Sequence, residues 1–90
     1  MNSIESKNTD FLFDVNDPQL NVLLKESLKN NFVSVVGAEG KVDDLNLITR
    51  MYMVRHEFGD KKDYEVHEHY ADDGKNFTAS VSFIKKPRNF

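Results

Sequence analysis

Residues 45–58, LNLITRMYMVRHEF, carry two competing periods. Asp43 and Asp44 just before them could cap a helix, and Leu, Met, Arg and Glu tolerate one. Against that, Ile48, Tyr52, Val54 and Phe58 suit an extended chain, and the segment that follows needs a strand to pair with. The balance favours a long strand from Leu47 to Phe58, with a helix over 43–58 as the alternative.

On the C-terminal side the pattern is plainer. YEVHEHYA and NFTASVSFI flank Asp72-Asp73-Gly74-Lys75, and Asp-Gly is a favoured central pair for a two-residue hairpin turn. A turn centred on Asp73-Gly74 sets Tyr70 opposite Phe77, Val66 opposite Val81 and Tyr64 opposite Phe83. The same register sets His69 opposite Thr78, His67 opposite Ser80 and Glu65 opposite Ser82, which sorts an apolar face from a wet one. After Ile84 the chain leaves as KKPRNF, and Pro87 ends pairing.

On the N-terminal side, FVSVV at 32–36 is β-branched and aromatic, and GAEGK at 37–41 predicts a turn. Before it, Asp17-Pro18 is a strong helix start, and Leu20, Leu23, Leu24 and Leu28 form an apolar stripe that predicts a helix from Pro18 to Asn30. FLFDV at 11–15 alternates as a short strand. The expected fold is therefore α+β, a single helix on one face of an antiparallel sheet in the order β-α-β-β-β-β, closed by the Asp-Gly hairpin. The expected division is a flexible tail at 1–9, one domain at 10–85 and a basic tail at 86–90.

Composition narrows the function classes. Ninety residues without cysteine, with 39 % hydrophobic and 30 % charged residues, fit one small globular domain, in which a thin core leaves self-association open. No apolar run suits a membrane span or a secretory leader, so a cytoplasmic protein, in a host cell, is expected. Nine Asn, nine Lys and nine Asp fit an AT-rich coding sequence of the kind common in phages and mobile elements. Residues 1–73 hold all fifteen acids and eight of the twelve bases, so the body is acidic and the end basic.

All three histidines fall in adjoining strand candidates. His67 and His69 project together from one strand face, at a separation that could share a metal, while His56 depends on register and falls beside Val66 on the core side. A polar face carrying two titratable side chains is the simpler account, so no metal and no cofactor are assigned. Ser80 opposite His67 lacks an oxyanion hole, and no catalytic residue is assigned. Asp43-Asp44 and Asp72-Asp73 are explained by a cap and a turn. VGAEGK at 36–41 lacks the spacing of a phosphate loop.

The hairpin YEVHEHYADDGKNFTASVSF, with its Tyr, its turn Gly and Phe-Thr-x-x-Val, resembles the first two strands of a double-stranded RNA-binding domain. In that family the first helix directly precedes the hairpin; here residues 31–63 intervene, and RNA binding is not carried over. A helix followed by a four-stranded meander also resembles the cystatin arrangement, with Ser34-Val35-Val36-Gly37-Ala38 similar to that family's Gln-Val-Val-Ala-Gly hairpin. The glutamine is absent and the glycine displaced, so protease inhibition is not carried over either.

What remains is a surface. Asp60, Asp63, Glu65, Glu68, Asp72 and Asp73 form an acidic strip around the last two loops, joined by His67 and His69, and suit a protein partner. The expected function is a small non-enzymatic protein-binding protein, a phage or mobile-element accessory that binds and inhibits a host factor, with edge strands available for a homodimer. The alternatives are a nucleic-acid contact module using Lys85, Lys86 and Arg88, or a virion component.

Overall fold

The computed structural model describes residues 12–59 and 63–86, and in it the ambiguous middle segment is a helix. The elements run β1 (Phe13–Asp14), α1 (Leu20–Asn30), β2 (Val33–Lys41), α2 (Leu45–Gly59), β3 (Tyr64–Asp72) and β4 (Asn76–Lys85). The chain is α+β as expected, but the order is β-α-β-α-β-β, with two helices among the described residues. The reason lies in the spacing of four side chains. Leu47, Met51, Val54 and Phe58 are all buried, at i, i+4, i+7 and i+11. A strand would send Leu47 and Met51 to one face and Val54 and Phe58 to the other, burying only two of them. Asp44 starts the helix, its Oδ1 accepting from the Leu47 N–H at 3.1 Å and its backbone oxygen from the Ile48 N–H at 3.2 Å.

The second departure is in β2. It runs on through the expected turn at 37–41, ending only at Lys41. Gly40 is there for proximity rather than for bending: a Cβ on it would come within 2.5 Å of the Leu47 Cδ2, so α2 settles against the sheet at a point that leaves no room for a side chain. The helix α1 ends at Asn30 as expected but begins at Leu20 rather than Pro18, after a turn at Asp17-Pro18-Gln19. Asp17 Oδ1 accepts from the Gln19 N–H at 2.9 Å, and Lys85 Nζ donates to the Lys29 carbonyl at 2.8 Å in the last turn.

The sheet order is β1-β2-β4-β3. It is mixed rather than wholly antiparallel, because α1 carries the chain back so that β1 lies parallel to β2. The hairpin forms with its expected strands, but its turn is centred one residue later. Gly74 takes φ +91° at the first central position, and the Asp73 N–H donates to Asn76 O at 3.0 Å. Each pair therefore moves by two: Tyr70 lies opposite Ala79, Val66 opposite Phe83, Glu68 opposite Val81 and Tyr64 opposite Lys85. A shift of two preserves the faces, so the expected sorting of apolar from polar side chains survives.

Both helices lie on one face. Ser34, Val36 and Ala38 of β2 and Phe77, Val81 and Phe83 of β4 point into the layer filled by Leu20, Leu24 and Leu28 of α1 and the four buried residues of α2. Phe58 meets Phe83 edge to face, with ring centres 6.3 Å apart. A polar pair sits inside this layer, the hydroxyls of Ser27 and Ser34, 2.6 Å apart, and at its margin Asn31 Nδ2 donates to Ser27 Oγ at 2.9 Å. Neither helix covers the opposite sheet face.

Candidate functional site

The strand β3 brings most of the expected contact residues into the fold, and its alternation divides them. Glu65, His67 and His69 project from the open face, exposed to solvent. The His67 Nε2 donates to Glu65 Oε1 at 3.1 Å, an exposed contact between next-but-one residues on one face. Across the hairpin His67 faces Ser82 and His69 faces Ser80, so the expected pairing of Ser80 with His67 is replaced by that of Ser80 with His69. The result is a strip of small hydroxyls beside two imidazoles and a carboxylate, able to donate and accept hydrogen bonds.

The acidic residues expected to form a strip serve different ends. Glu68 points to the helix side and pairs with Arg55 of α2, both half exposed. Asp72 Oδ1 accepts from the Gly74 N–H at 2.9 Å. Asp73 Oδ1 accepts from the N–H groups of Asn76 at 2.8 Å and Lys75 at 2.9 Å, and these bonds hold its carboxyl below the ordinary carboxylate value. Its folded-state pKa is lowered, so its contribution to the turn is present above the unfolded value and is lost as the pH falls through the folded one. Asp63 gives its backbone oxygen to the Lys86 N–H at 2.8 Å. Asp60 lies outside the described residues.

His56 stands exposed in the last turn of α2, not beside Val66 on a strand, which separates it from His67 and His69 by the thickness of the sheet. Among the described residues no three His, Cys, Asp or Glu side chains could together hold a metal ion. Of the basic end, Lys85 is committed to the Lys29 carbonyl, Lys86 is exposed, and Arg88 lies outside the described residues with 1–11 and the rest of 87–90.

A groove on the helix side was not legible, since it needs α2 to exist. It encloses about 190 Å³ between α2 and β3, with Met51, Phe77 and Val81 in its floor and Tyr52, Arg55 and Tyr70 at its rim. Tyr70 stacks on Phe77 with ring centres 5.5 Å apart yet stays 53 % exposed, and Tyr52 is 74 % exposed. The signal was the buried spacing of Leu47, Met51, Val54 and Phe58, masked by the exposed Leu45, Tyr52 and Met53 among them.

The site thus belongs to a two-layer α+β domain, with two helices on one face of a four-stranded mixed sheet and β3 at its rim. No family model, no curated protein and no solved structure matches the chain. Among the described residues no helix is long and apolar enough to cross a membrane.

Proposed function

We propose that the chain is a small non-enzymatic protein-binding protein that contacts its partner through the open sheet face, as a phage or mobile-element accessory would to inhibit a host factor. The observation that carries the binding reading is the grouping of Glu65, His67 and His69, exposed on the face that neither helix covers. Ser80 and Ser82 lie beside the two histidines across the ladder, which supports a contact surface of mixed donors and acceptors at the rim of an interface. The accessory role draws its support from composition: the Asn, Lys and Asp bias and the acidic body. The reading centres on Glu65, His67 and His69, because Glu68 pairs with Arg55 and the carboxylates of Asp72 and Asp73 accept from the turn backbone.

The test is a pull-down from bacterial lysate with the tagged chain and with Glu65→Ala/His67→Ala/His69→Ala, after nuclease treatment. One protein retained at fixed stoichiometry by the first and lost by the second is the expected result. Retention of the same protein by both variants overturns the assignment of the face, and an eluate that empties on nuclease treatment overturns the protein partner.

A further inference from the structure

The backbone of β3 carries a separate message from its side chains. The two bonds that bracket its ladder to β4, Lys86 N–H to Asp63 O and Asp73 N–H to Asn76 O, both use odd-numbered residues immediately flanking β3. Antiparallel ladders alternate, so the odd positions turn their peptide groups toward β4, while Tyr64, Val66, Glu68, Tyr70 and Asp72 turn theirs away from the sheet. Among the described residues no strand pairs with that outer side. The other edge of the sheet is β1, only two residues long, whereas β3 is nine residues long and contains no proline, lysine or glycine to discourage pairing.

The sequence of this edge is complementary to its own reverse. Around His67, the stretch Tyr64-Glu65-Val66-His67-Glu68-His69-Tyr70 places a tyrosine at each end and opposes glutamate to histidine. We propose that the chain forms a homodimer in which two β3 strands pair antiparallel about a two-fold axis at His67, continuing each four-stranded sheet into one of eight strands. Val66 and Glu68 of the second copy then exchange both backbone bonds, since both present outward peptide groups. On the open face Glu65 lies opposite His69 of the second copy, twice by symmetry. On the helix side Tyr64 meets the second copy's Tyr70, which is half exposed beside the groove.

Neighbouring registers are worse. An axis at Glu68 sets two glutamates directly opposite each other. An axis at His69 opposes Glu65 to Asp73, like charge to like charge, and an axis at Val66 pairs only the five residues 64–68, against seven at His67. The dimer goes beyond the partner-binding reading and does not rest on it, for it is measured on the purified chain alone.

The absence of cysteine makes the register directly readable. Single variants Val66→Cys, His67→Cys and Glu68→Cys are oxidised mildly, and the wild-type mass is followed by light scattering over a dilution series. A concentration-dependent dimer is expected, with the disulfide forming most readily at position 67. Glu68→Pro removes one outward N–H without touching the β4 ladder and should give a folded monomer. Where that variant fails to fold, charge exchange decides. Glu65→Lys or His69→Glu alone should weaken the dimer about tenfold, and the double exchange should restore it. A monomer at the highest soluble concentration, preferred cross-linking at 66 or 68, or a double exchange no better than the single ones overturns the proposal.

Discussion

The two strands that flank β4 live in different surroundings. On the β2 side, Val36 and Ser34 are fully enclosed opposite Val81 and Phe83; on the β3 side, residues 67–72 are exposed on both faces. The difference follows from helix placement. The helix α1 lies over β1 and β2, and α2 lies over β4 with its flanks on β2 and β3, so the layer above the sheet thins toward β3. Stability is therefore concentrated between β2 and β4, leaving β3 free to carry polar and aromatic side chains whose presence the fold does not require.

Three substitutions test that contrast, in falling order of effect. Phe83→Ala empties the space between α2 and the centre of the sheet and should cost about 3–5 kcal/mol by denaturant unfolding, enough to leave a small domain partly unfolded at room temperature. A loss under about 1 kcal/mol would mean that the stabilising centre lies elsewhere. Ser27→Ala strands the enclosed Ser34 hydroxyl and should cost about 1–2 kcal/mol, whereas Ser27→Ala/Ser34→Ala, which removes both, should cost less than the two single changes added together. Strict additivity in that cycle would mean that the hydroxyls are not coupled. The triple change of Glu65, His67 and His69 to Ala should move the unfolding free energy of the monomer by no more than about 0.5 kcal/mol per site. A larger loss would erase the distinction between the two sides of β4.

What the sequence disclosed follows the same division. Local chemistry was legible: the Asp17-Pro18 turn that leads into α1, the Asp-rich turn, and the alternation that sorts Val66 and Tyr70 from His67 and His69. Features set by distant contacts were not. The glycines at 37 and 40 signal a turn when read locally, and only the approach of Leu47 to Gly40 explains a strand there. Residues 45–59 hide a four-residue buried stripe among exposed apolar side chains, so neither helix nor strand stands out until the sheet beneath them is known. The hairpin centre moved by one because the Asp73 carboxylate gathers the N–H groups of Lys75 and Asn76, a preference that the Asp-Gly pair alone does not reveal. Of the proposed contact residues, β3 periodicity put Glu65, His67 and His69 on one open face, as the structure has them, while the Arg55 pairing of Glu68 depended on the unseen helix.

The position of β4 bears on how the chain is made. It is synthesised after every other described element, yet it lies inside the sheet, and β2 and β3 are joined only through it. While the nascent chain emerges, β2 can hold β1 and α1, but β3 has no neighbour to bond until residues 76–85 leave the ribosome. The sheet therefore closes in one late step, by insertion of a strand between two waiting edges, and a released chain truncated before Asn76 would leave β3 open and unpaired.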